Sequence, residues 1–137
     1  MEIWYAVYLA ISWALVGLIW VIQLVHYPFF RFVDPKAFHE AHQFHTFKIT
    51  LIVMPLMLGE LSLAAGLAYA TAFSSIELLN LILVLLIWGS TFFVQIPLHQ
   101  QLEKGKQDAV IQQLVRSNWF RTFLWTAKAG MMTWFQI

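Results

Sequence analysis

IWYAVYLAISWALVGLIWVIQLV, residues 3–25, decides the fold class, because it is a continuous apolar run without one charged side chain. A bilayer core about 30 Å thick needs about 20 apolar residues in a helix that rises about 1.5 Å per residue. This stretch meets that length. Working outward, residues 47–70 meet it with a single interruption, Glu60, since Lys48 lies near an end and extends to the interface. Residues 78–98 are again uncharged, whereas residues 119–137 form the shortest candidate and carry Arg121 and Lys128. The sequence therefore predicts an all-α, integral membrane four-helix bundle, up-down-up-down. It is one domain over residues 1–137, with spans near 3–25, 47–70, 78–98 and 119–137.

Composition supports this class and removes several others. The chain is 61% hydrophobic and 11% charged, against roughly a quarter charged in soluble domains, so its surface does not suit water. A net charge of +1 offers no basic face for nucleic acid. The absence of cysteine excludes disulfides, thiolate ligands and a cysteine nucleophile. Met1-Glu2 lacks the positive charge of a signal peptide, so the first apolar segment is expected to remain as an anchor.

Local signals divide the chain. Tyr27-Pro28 predicts the end of the first helix. Asp34-Pro35 reads as an N-cap and first helical position, so the second helix is expected to extend from about residue 35 on the cytoplasmic side. Ser74 and Glu77 have capping-box spacing, and the short turn before them predicts a helical hairpin. Gly105 suits a helix end. Residues 108–116, apolar at Val110, Ile111, Leu114 and Val115, suit a short interfacial helix. Pro55 and Pro97 are candidate kinks. Ser62, Gly66 and Ala70 form a small-residue stripe for close packing, within the bundle or in a homo-oligomer.

Basic residues set the expected orientation. Arg31, Lys36 and Lys48 surround the first loop, and Lys104, Lys106, Arg116 and Arg121 the third; the turn at 71–77 has none. By the positive-inside rule the first and third loops are cytoplasmic and both termini are not. The loop charge favours a bacterial inner (plasma) membrane.

This topology gathers polar residues distant in sequence. Gln23 and His26 end the first span; His39, His42 and His45 precede the second; Thr91, Gln95 and His99 run to the end of the third; Asn118 and Arg121 open the fourth. All five histidines then lie near one membrane face. His26, His42, His45 and His99 are candidate ligands for a transition metal (iron, copper or zinc) or, as an axial pair on facing helices, for haem. Gln23, Gln95, Asn118 and Arg121 are candidate ligand-binding residues, with Arg121 pairing an anionic group. The bland alternative is that His39 and His42 are simply solvated boundary residues. Deeper in the membrane, Glu60 and Lys128 reach similar depths and form a candidate intramembrane ion pair, either a relay or a static bridge that fixes helix register.

Gln23-Leu24-Val25-His26-Tyr27-Pro28, Pro55 with Glu60, Gln95-Ile96-Pro97-Leu98-His99 and Asn118-Trp119-Phe120-Arg121-Thr122 together resemble an uncharacterised family of small bacterial four-span membrane proteins. More distantly the layout is similar to the anthrone-oxygenase-like membrane proteins, which implies oxidation of a lipophilic substrate. His99 stands where those proteins tend to carry an asparagine-type residue.

Gly-rich phosphate loops, paired carboxylates and a Ser-His-Asp order find no support. Three functions fit the remainder. One is a metal- or haem-dependent oxidoreductase acting on a lipophilic small molecule at the histidine-rich pocket. Another is a small proton-coupled transporter using Glu60 and Lys128. The third is a non-catalytic membrane assembly subunit. Each has the lipid bilayer as a partner.

Overall fold

The computed structural model describes residues 1–135. Among them the regular structure is all helical, in four helices: α1 (Glu2–Phe32), α2 (Phe38–Ala70), α3 (Ser75–Leu102) and α4 (Asp108–Trp134). The first three are long and apolar enough to cross a membrane. The outermost positions of the expected fourth span, Gln136 and Ile137, lie outside the described residues.

α1 does not stop at Pro28. It passes through a π turn at Ile22–His26 and a helical turn at Tyr27–Phe29, then tightens to a 3₁₀ turn at Phe30–Phe32. α3 repeats the device, with a π turn at Thr91–Gln95 directly ahead of Pro97. Proline cannot donate to the carbonyl four residues back and its ring crowds that carbonyl. A wider turn just before it relieves both problems, so the helix continues where the sequence predicts an end. Pro55, by contrast, sits inside an unbroken α2.

Other boundaries also move. Asp34 accepts the Lys36 backbone N–H at 2.8 Å, which makes a turn rather than a cap, and α2 begins at Phe38 instead of about residue 35. Ser74 makes no side-chain cap bond, and Glu77 instead accepts a hydrogen bond from the Tyr5 hydroxyl. The turn between α2 and α3 is closed by the Phe73 N–H on the Ala68 carbonyl at 2.7 Å, a six-to-one helix ending. Residues 108–116 are not a separate interfacial helix but the first turns of a continuous α4. Gly105 lies just beyond α3 with φ +129, a conformation open only to glycine.

Side-chain hydrogen bonds set the register. Trp13 pairs with Thr133, Trp20 with Thr126, and Gln23 with Asn118, so numbers rise along α1 as they fall along α4. Tyr5 pairs with Glu77, Tyr8 with Asn80, and Tyr27 with His99, so α1 and α3 rise together. The loop after α3 is tied to the end of α1 by Lys106, whose ammonium donates to the Arg31 and Val33 carbonyls at 2.6 and 2.9 Å.

α4 turns a polar face inward. Asn118, Arg121, Thr122, Trp125 and Lys128 recur at helical spacings of three and four and are all buried, while Phe120 and Phe123 are exposed. Ser62, Gly66 and Ala70 line a groove of about 250 Å³ beside Met1 and Trp4. A Cβ on Gly66 would meet nothing within 4 Å, so no neighbouring helix of this chain uses that part of the stripe.

Candidate functional site

Histidines from three elements meet around Tyr27 and Phe30. Tyr27, carried into the bundle by the helical turn that follows the first π turn, is buried; its hydroxyl lies 3.1 Å from His99 Nε2. The other nitrogen of His99, Nδ1, lies 3.0 Å from His42 Nε2. His42 is buried on the second turn of α2, stacked on Phe38 with ring centroids 5.7 Å apart. A neutral imidazole has one N–H, so His99 donates to one neighbour and accepts from the other. The chain Tyr27–His99–His42 can therefore pass a proton by exchanging tautomers.

His26 and His45 form a second pair, edge to face with centroids 5.1 Å apart. Phe30 separates the pairs, its ring 5.2 Å from His45 and 5.4 Å from His42. His26 Nδ1 and His45 Nε2 are buried and have no hydrogen-bond partner. Both histidines line a cavity of about 700 Å³ between the end of α1 and the start of α2, whose other walls include Val25, Phe29, Phe44 and Glu40. That volume lies in the range of small-molecule sites, as does an apolar wall with a few polar groups.

The candidate ligand-binding residues form a separate junction. Gln23 Oε1 accepts from Asn118 Nδ2 at 2.9 Å and from the Thr122 hydroxyl at 3.3 Å, and Gln23 Nε2 donates to the Val115 carbonyl at 3.1 Å. Gln95 donates to the Ser117 hydroxyl at 3.1 Å, leaving its Oε1 without a partner. Arg121 donates to Asn118 Oδ1 at 3.3 Å and lies over the Trp125 ring, 5.1 Å from its centroid. These four residues thus bond largely to each other and to α4, and none lines the 700 Å³ cavity.

Farther into the bundle, Lys128 and Glu60 make an ion pair of 2.8 Å with both side chains fully buried. Lys128 also donates to the Tyr8 and Ser12 hydroxyls, each at 2.9 Å. Glu60 Oε2 accepts the Trp125 indole N–H at 2.9 Å. Gly59 lets α1 close on α2 here; a Cβ on it would stand 3.3 Å from Ile11 Cδ1.

The structure thus brings His26, His42, His45 and His99 into one cluster, but as two pairs. His39 is exposed and lies 2.9 Å from the Glu103 carbonyl through its Nδ1. His42 and His45, neighbours on one helix, face different partners. Among the described residues no group of three His, Asp or Glu side chains is placed to hold a metal ion. Both nitrogens of His99 already face Tyr27 and His42, so the four histidines do not fit the expected metal set.

Sequence reasoning missed Tyr27, Phe30, Tyr8, Ser12 and Trp125. Trp125 had a usable signal: it stands four residues after Arg121 and three before Lys128 on one helix face. Tyr27 had none, because its inward direction depends on the π turn. No family model, curated protein or solved structure matches the chain.

Proposed function

We propose that this chain is a four-span, up-down-up-down protein of a bacterial plasma membrane, with both termini on the non-cytoplasmic side, that binds a lipophilic small molecule between α1 and α2. The observation that carries the reading is the pair of unpartnered nitrogens, His26 Nδ1 and His45 Nε2, on the wall of an otherwise apolar cavity. Buried polar atoms left without partners are costly, so a ligand hydroxyl or carbonyl there recovers bonds that the protein does not make itself. The apolar walls take the remainder of the molecule. Neutral imidazoles at that position act as general bases or acids towards the bound group.

Proton transfer is the chemistry these residues support best, and oxidation of the ligand is what the family resemblance adds. Antiparallel pairing of α1 with α4 and the inward polar face of α4 support a fourth span, because its charges are covered by the other helices. The Glu60–Lys128 network supports a fixed clamp over a transport path, since every donor of the ammonium has an acceptor.

The test uses the protein in nanodiscs with a diazirine-bearing long-chain alcohol. Cross-links should concentrate between residues 25 and 45, compete with unlabelled alcohol, and fall about tenfold in His26→Leu and His45→Leu, the loss of one or two hydrogen bonds. Labelling spread evenly over the lipid-facing helices would sink the reading. Elemental analysis and an absorption spectrum of untagged protein accompany it. A stoichiometric metal, or a Soret band lost in His26→Ala, would transfer the histidines to a metal or haem role.

A further inference from the structure

Arg121 is a buried cation without an anion. Its side chain is 5% exposed, and the Glu60–Lys128 bridge is the one ion pair among the described residues. Asn118 supplies one neutral acceptor, and the Tyr27 hydroxyl stands beside the guanidinium. The Nε–H has no partner. The other buried carboxylate, Glu77, is bonded to Tyr5, roughly 25 Å along α1 from Ile22 at 1.5 Å per residue.

A small void adjoins this group. It has a volume of about 10 Å³ and is lined by Arg121, Trp125, Ile22, Val53 and Leu18, among others. That is room for a single occupant of about the size of a water molecule. A buried water makes about three hydrogen bonds, but aliphatic side chains and one indole ring form the remaining walls. An anion needs fewer directed bonds and supplies the charge that the guanidinium lacks.

We infer that Arg121 and this void form an intramembrane seat for one small anionic group, either a free halide or the carboxylate of an amphiphile. The seat is separate from the cavity lined by His26 and His45, and its halide form needs no lipophilic ligand. Failure of the alcohol-binding test therefore leaves it standing.

The probe is chloride, titrated against gluconate at constant ionic strength in detergent-purified protein. Chloride should raise the unfolding midpoint saturably by roughly 4 °C, and Arg121→Gln should remove the response. A second arm compares dodecanoate with dodecanol. Preferential binding of the carboxylate, lost in Arg121→Gln, would support the seat and assign its source to the amphiphile. Should Arg121→Gln fail to fold, bromide anomalous scattering on wild-type crystals replaces it, and a peak beside Arg121 supports the seat. Midpoints indifferent to chloride, with equal binding of dodecanoate and dodecanol and no bromide peak, would overturn the inference.

Discussion

Lys128 donates its three ammonium protons to Glu60, Tyr8 and Ser12, and Glu60 also accepts the Trp125 indole N–H. Removing one charge strands the other in an apolar interior, which costs about 3–5 kcal/mol. Glu60→Gln and Lys128→Met should each lower stability by that amount in reversible unfolding from bicelles. The double variant should lose less than the sum of the two, and strict additivity would show that the pair is not coupled. Gln23 offers a milder case: Gln23→Leu leaves Asn118 and Thr122 without their shared acceptor and should cost about 1–3 kcal/mol. Glu60 and Lys128 were legible in the sequence because charges inside a span seek each other. Tyr8, Ser12 and Trp125 were not, since a hydroxyl or an indole in an apolar run also suits plain packing or an interface.

At the scale of elements, α4 explains why hydropathy alone undervalues the fourth helix. Its polar residues face the bundle and its aromatic ones face outward, the reverse of a helix in water. The capping box shows the opposite error: Ser74 and Glu77 have the right spacing, but Tyr5 takes the carboxylate and the backbone closes the turn unaided. A signal defined by spacing loses to a partner brought by tertiary packing. Phe30, in the 3₁₀ turn beyond Pro28, holds the two histidine pairs apart. Phe30→Ala should cost about 3–5 kcal/mol, and it should enlarge the cavity enough to admit bulkier alcohols in the cross-linking assay. Unchanged size selectivity would remove Phe30 from the cavity wall in any functional sense.

For the whole molecule, composition, span lengths and basic loops already specified a helical membrane protein, and the three apolar helices agree with them. Orientation is the part that needs a measurement, and the lack of cysteine makes the experiment clean. A membrane-impermeant maleimide added to intact cells should label Ser74→Cys, in the turn between α2 and α3. It should spare Lys104→Cys until the cells are opened. The reverse pattern would invert the proposed topology and move the histidine cluster to the outer face.

The π turns have a consequence for inheritance. Each is a helix holding one residue more than an α-helix needs, so deletion of a single codon within residues 22–26 restores an ordinary helix that still spans. Everything beyond it, however, rotates by about 100° about the helix axis. His26, Tyr27 and Phe30 then swing away from α2 and α3 together. A one-codon loss in that turn therefore leaves a protein that is made and inserted but has no histidine cluster, whereas the same loss in the loop at residues 103–107 leaves the cluster in place.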